Sequence, residues 1–210
     1  IWSSLVGSEM CIRDSDNTVM EVGLFPTYFW KLKVPNHQYI KDKYLQTFID
    51  GYEKDIYTIP EGWVTHKCHT SFNKRTKFSS TVCDSYADLF DSIFDKKWSG
   101  SFEYWYSVYK NNEYQEWHDH MPSTLSAIHF LSFKEEHKAP IFEDPLKGVK
   151  SIINTTALNS KLAEGVNAYT PEVEEGDIII FPSYLQHAVP AAVYDTHRVT
   201  IALNLNCLRT

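Results

Sequence analysis

Leu125-Ser-Ala-Ile-His-Phe-Leu-Ser-Phe133 is an almost unbroken apolar run just after Trp117-His118-Asp119-His120, and its reading decides the fold. Two more runs share its character: Asp177-Ile-Ile-Ile-Phe181, ahead of Gln186-His187, and Val199-Thr-Ile-Ala-Leu-Asn-Leu205, after His197-Arg198. Short runs of this composition, bounded by turn residues, read as β-strands. Asn111-Asn112, Pro140, Pro145 and Glu175-Gly176-Asp177 cut the half from Phe102 to the C-terminus into such pieces. Many short strands fit a sandwich or jelly roll, whose mouth can hold a metal between its sheets.

Ahead of this half, Met20 to Val34 is aromatic and β-branched and reads as one or two strands, with Pro26 marking a break or an edge. Asn36 sits where a helix would be capped, and Ile40, Tyr44, Phe48 and Tyr52, joined by Leu45 and Ile49, form one apolar stripe. A second helix is expected from Asp84, with Tyr86, Leu89, Phe90, Ile93 and Phe94 on one face and Asp88, Asp91 and Asp95 on the other. Two amphipathic helices before a β-rich half suggest a support layer packed against a sheet. No linker, repeat or low-complexity tract interrupts the chain. The expected organisation is one domain over 16–210, with helical support at 16–100 and a β core at 101–207. Residues 1–15 resemble a translated sequencing adapter and are set aside; Glu9, Arg13 and Asp14 do not suit a secretory signal.

The 210 residues, 43% of them hydrophobic and 15% aromatic, suffice for one substantial core. The longest apolar runs are too short for a membrane span, so no membrane association is expected. A formal charge of −7 argues against a nucleic-acid surface, which needs clustered Lys and Arg. Once Cys11 is set aside, Cys68, Cys83 and Cys207 remain; their odd number and irregular spacing fit reduced thiols of a cytoplasmic protein better than a disulfide framework. Oligomeric state is not legible.

His118 and His120, at i and i+2 on a regular strand, would point to one face. His187 would close the site from another strand. Neutral imidazoles at this spacing suit Fe, Zn, Cu or Ni. Asp119 would then point away, as an outer partner or an exposed residue; the alternative is a bulge that turns it inward in place of one His.

The segment from Tyr109 to Phe130, with Gly176-Asp-Ile-Ile-Ile-Phe-Pro-Ser-Tyr-Leu-Gln-His187 and Arg198-Val-Thr200, resembles the metal-binding and terminal segments of the Fe(II)/2-oxoglutarate-dependent oxygenases. Within that superfamily it is most similar to prolyl-4-hydroxylase-like proteins of viral and metagenomic type. The resemblance covers residues 100–206 and fits the helical part more loosely. It implies a mainly β, double-stranded β-helix (jelly roll, cupin-like) with supporting N-terminal α-helices. It also implies Fe(II), 2-oxoglutarate as co-substrate and O2, with ascorbate as an accessory reductant. His118, His120 and His187 would hold the metal; no other catalytic residue is implied. Arg198 would bind the far carboxylate of 2-oxoglutarate, Thr200 would donate to it, and Tyr109 falls near a co-substrate tyrosine. A planar guanidinium suits that role because its fork matches a carboxylate and keeps its charge. Ser126 and Tyr106 are weaker candidates for the pocket wall.

Two departures stand out. Position 120 carries His where the superfamily has an acid, and Phe130 stands where many relatives have Tyr. The implied reaction is hydroxylation of a C–H bond, with succinate and CO2 released; a peptidyl proline is the family-weighted substrate, a small molecule the other. Two alternatives remain: a three-His zinc enzyme activating water, which leaves Arg198 and Thr200 unexplained, and an inactive cupin-like binding module, favoured by His120 and Phe130. Trp105, Trp117 and Tyr184, if exposed, would line a peptide groove.

Overall fold

The structure, a computed structural model, describes residues 27–54, 66–94, 98–148 and 168–208. The segment 1–15, with Cys11, and Pro26 lie outside the described residues. Two antiparallel sheets face each other. The six-stranded sheet has the order β1 (Trp30–Lys33), β9 (Asp177–Pro182), β6 (Leu125–Ser132), β11 (Arg198–Leu208), β4 (Ser99–Tyr109), β3 (His69–Thr70). The five-stranded sheet has the order β2 (His66–Lys67), β5 (Tyr114–His118), β10 (His187–Val189), β7 (Ile141–Glu143), β8 (Ala168–Tyr169). This is the expected jelly roll.

The central strands are apolar because both faces of the six-stranded sheet are covered. On one face lie the helices α1 (His37–Glu53) and α2 (Ser80–Ile93). Ile40 and Phe48 of α1 and Val82, Tyr86, Leu89 and Phe90 of α2 pack with Leu125, Ala127, Leu131, Ile178, Ile180, Val199, Ile201, Leu203 and Leu205 in one core. The intervening residues, Ile128, Phe130, Ile179 and Phe181, face the second sheet and pack with Phe142 and Leu185. Period-two alternation therefore divides each strand between two cores, one under the helices and one between the sheets.

Some boundaries differ from expectation. α2 begins at Ser80, four residues before Asp84, with Ser79 in extended conformation at its start. Asn36 does precede α1, but its side chain makes no cap; Nδ2 donates to Ser85 Oγ at 2.8 Å and ties the two helices together. Within the strand region expected at Met20–Val34, β1 pairs with β9; beyond that expectation, the N-terminal part also supplies β2, paired with β5, and β3, paired with β4. Among the described residues no helix is long and apolar enough to cross a membrane. Cys68, Cys83 and Cys207 are free thiols.

Candidate metal centre

Strand pairing brings the distant histidines together. His187, first residue of β10, is the direct antiparallel partner of His118, last residue of β5. Two residues on, Val189 pairs with Gln115, so a three-residue step on β5 opposes a two-residue step on β10. That is a β-bulge, and bulges beside sites re-aim side chains. Here it lets Gln115 and His118, three apart, both line the cavity between the sheets. His120 lies just beyond the strand, its N–H donating to the Ser183 carbonyl at 2.9 Å. The regular-strand geometry expected for His118 and His120 is therefore not what joins them; a bulge before His118 and a loop after it do so.

One ring nitrogen from each of His118, His120 and His187 lies within 4.8 Å of the others. His118 Nδ1 contacts the Glu116 carbonyl at 2.6 Å, and His187 Nδ1 contacts the Leu185 carbonyl at 3.0 Å. A carbonyl can only accept, so Nδ1 carries the proton on both rings and Nε2 keeps its lone pair. Burial, then the neighbouring His118 and His120, holds the His187 pKa well below the ordinary range. Burial, His118 and Arg75 together lower that of His120 to about 3. His187, held neutral with its tautomer fixed, is in the form a divalent transition ion requires. Phe142 stacks on His187 with 5.4 Å between ring centroids, and Trp105 lies 5.4 Å from His120.

Asp119 stays out of the cluster. Its Oδ2 accepts from Gln186 Nε2 at 2.6 Å and its Oδ1 from the Met121 N–H at 3.1 Å.

The same cavity, whose volume is about 310 Å³, also holds Arg198. The first residue of β11 pairs directly with Tyr109, the last of β4, and Thr200 pairs with Ser107. Arg198, Thr200, Ser107 and Tyr109 all line the cavity, as do Ser126 and Trp105. The Arg198 side chain is 1% exposed, and its Nε and Nη1 have no hydrogen-bond partner. Its guanidinium lies 4.6 Å from the Tyr109 ring centroid and 5.9 Å from that of Phe130. Burial lowers its pKa, and the nearby Tyr109 and Tyr194 oppose this. A buried cation with two unmatched donors is costly unless an anion accepts from it.

Other candidates fall elsewhere. Tyr106 does not line the cavity; it faces the helices, stacked on Phe48 at 4.0 Å with its hydroxyl 3.2 Å from His69 Nε2. Ser126 lies on the wall and bonds Asn204 Oδ1 at 2.9 Å. Trp105 is 3% exposed and is a wall residue, whereas Trp117 and Tyr184 are 45% and 47% exposed. Tyr109 donates its hydroxyl proton to Gln115 Oε1. Gln115, Thr70 and Phe72 are wall residues that sequence reasoning missed. Trp105 was within its reach as wall, since it alternates with Ser107 and Tyr109; nothing in the sequence signals the bulge that brings Gln115 in.

Residues 103–204 match the model of a family described as "Putative 2OG-Fe(II) oxygenase". Over these residues the chain is similar to the 2OG-Fe(II) oxygenases. Solved structures with the same fold include a Pseudomonas putida prolyl-4-hydroxylase, at 12% identity and TM-score 0.57 over 86% of this chain and 92% of that one. A prolyl hydroxylase from Trichoplax adhaerens, solved with a hypoxia inducible factor peptide fragment, gives 11% and 0.55 over 85% and 83%. HygX from Streptomyces hygroscopicus, solved with nickel and 2-oxoglutarate bound, gives 11% and 0.52 over 86% and 83%. At these identities the likeness is one of fold. No curated protein matches the chain.

Proposed function

We propose that the protein is a non-haem Fe(II)- and 2-oxoglutarate-dependent dioxygenase that hydroxylates a C–H bond, of a peptidyl proline or a similar group, and releases succinate and CO2. The observation that carries this reading is the buried Arg198 guanidinium, with two unmatched donors, in the same cavity as three clustered histidines. A dicarboxylate co-substrate answers both at once: one end belongs at the histidines and the other at Arg198. Water-activating zinc chemistry uses the histidines but gives Arg198 no task.

His118, His120 and His187 would hold the metal, which when bound supplies the redox chemistry that couples O2 to oxidation of 2-oxoglutarate and the substrate. The chain's own residues do the rest. Arg198 accepts the distal carboxylate in its fork, and the Thr200 hydroxyl, buried on the same strand face, donates to it. Tyr109 supports the guanidinium from below; its hydroxyl reaches an incoming carboxylate only by leaving Gln115. Phe130 offers no hydroxyl; its buried ring lies 5.9 Å from the guanidinium and adds to the apolar surroundings of the ion pair. Trp117 and Tyr184 remain exposed and available to a peptide.

The test is anaerobic titration of Fe(II)-loaded protein with 2-oxoglutarate, following the visible charge-transfer band of a keto acid chelated to iron. The band is expected in the wild type and absent in Arg198→Ala. Tight zinc retention with no band would refute the oxygenase reading.

A further inference from the structure

Asp119 lies between two of the clustered histidines in sequence and lines the same cavity, yet its carboxylate is outside the cluster. A carboxylate is a good ligand for a divalent ion, so something must withhold it. Both of its oxygens are occupied: Oδ1 accepts from the Met121 N–H at 3.1 Å and Oδ2 from Gln186 Nε2 at 2.6 Å. The first bond is local and turns the carboxylate along its own loop. The second crosses to the residue next to His187.

Gln186 is well placed to hold it. Its carbonyl accepts from the Glu143 N–H at 2.9 Å, which fixes its backbone to the neighbouring β7. The two loops it joins are stitched twice more, by His120 N–H to the Ser183 carbonyl at 2.9 Å and Ser183 N–H to the Thr124 carbonyl at 3.3 Å. The side-chain clasp therefore spans a junction whose backbone is already set. Its specific effect is to decide which way Asp119 points.

We infer that Gln186 is a positioning residue that withholds Asp119 from the metal, so that His120 rather than an acid completes the ligand set. This rests on the three-histidine reading above. Releasing the clasp makes Asp119 available as a substitute ligand. The release shows only where His120 no longer competes.

Ni(II) affinity by titration calorimetry, with Co(II) visible absorption as a spectroscopic check, tests this in five proteins: wild type, His120→Ala, and His120→Ala combined with Gln186→Ala, with Gln186→Glu, or with both Gln186→Glu and Asp119→Asn. Gln186→Glu is the second variant because it expels Asp119 by charge and keeps the side chain's size. His120→Ala is expected to bind at least about tenfold more weakly than wild type, a loss on the scale seen when metal-site residues are changed. Adding either Gln186 substitution is expected to restore about tenfold, with a changed Co(II) spectrum, and Asp119→Asn to remove the gain. Clasp variants that bind no tighter than His120→Ala overturn the inference and leave the three-histidine reading standing. His120→Ala binding as tightly as wild type overturns both.

Discussion

Replacing Arg198 by Met separates what the guanidinium costs the fold from what it contributes to binding. The side chain is buried, with Nε and Nη1 unmatched and the aromatic rings of Tyr109, Phe130 and Phe133 at 4.6, 5.9 and 5.8 Å. A desolvated cation over an aromatic face recovers about 2 kcal/mol. Taking the ion out of water costs several kcal/mol even after relaxation. The cost is larger, so Met, which keeps much of the length and places sulfur among the rings, should stabilise the ligand-free protein. The expected gain is about 1–3 kcal/mol, within the range found when buried ions give way to apolar side chains. At about 2–4 °C per kcal/mol for a chain of this length, the melting temperature rises by roughly 2–12 °C.

Binding of 2-oxoglutarate moves the other way. Each hydrogen bond to a charged group is worth about 1.5–3 kcal/mol, so losing a two-pronged contact weakens affinity by roughly 10²- to 10⁴-fold. Thermal unfolding with and without 2-oxoglutarate reads both effects. The expected pattern is a higher melting point without ligand and no upward shift with it. An Arg198→Met protein that melts below wild type, or that keeps the wild-type shift, refutes the reasoning.

The buried polar chain under the helices and the tight seat of α1 give two further predictions. His129 is buried between the Tyr86 hydroxyl at 2.8 Å and His37 Nδ1 at 3.0 Å, and burial, then His37, lowers its pKa to about 3. The unfolded chain protonates this residue near pH 6.5 and the folded chain only near 3, so stability is full above 6.5 and falls as pH drops, by up to about 1.4 kcal/mol per unit; urea unfolding at pH 7 and pH 5 should show a smaller loss in His129→Gln, and equal losses would contradict it. A Cβ at Gly51 would meet Tyr106 Oη at 2.6 Å, where the ring is held against Phe48; Gly51→Ala should destabilise by about 1–3 kcal/mol, and Tyr106→Phe in that background should restore part of the loss by removing the oxygen.

What the sequence disclosed of the fold followed from periodicity, whereas Arg198 and Thr200 were named by the family resemblance. Leu125–Ser132 and Arg198–Leu208 alternate between the helix-covered face and the cavity, and the spacing of two puts Arg198 and Thr200 on the same face. The stripe from Ile40 to Tyr52 named α1 for the same reason. Features set by a neighbouring strand were hidden. The bulge before His118 exists only in register with β10, and without it the even spacing of His118 and His120 suggests a regular strand that ends before His120 is reached. Asn36 illustrates a tertiary override: the residue type suits a cap, but Ser85 on α2 takes its amide. Trp105 shares a strand face with Ser107 and Tyr109 by alternation, but how deeply it is buried depends on the opposing wall, which comes from residues far along the chain.

Three imidazole donors have a consequence for charge. A divalent ion held by His118, His120 and His187 keeps its full double charge, and Arg198 adds another positive charge in the same cavity. The 2-oxoglutarate dianion leaves that sum positive by one, whereas an acid in place of His120 would bring it to zero. The extra charge must therefore show in co-substrate affinity. A unit charge about 8 Å away is worth roughly 2 kcal/mol at an effective dielectric near 20, equivalent to about thirtyfold in binding. His120→Asp should accordingly bind 2-oxoglutarate about thirtyfold more weakly in the Ni(II)-loaded protein, even where the metal itself is held as tightly or more so. Calorimetric titration of 2-oxoglutarate into both loaded proteins makes the comparison, and raising the salt should narrow the gap by screening. Equal or tighter binding by His120→Asp would mean that the ion's charge is balanced by another group, with the exposed Asp119 carboxylate at the cavity wall the first to examine.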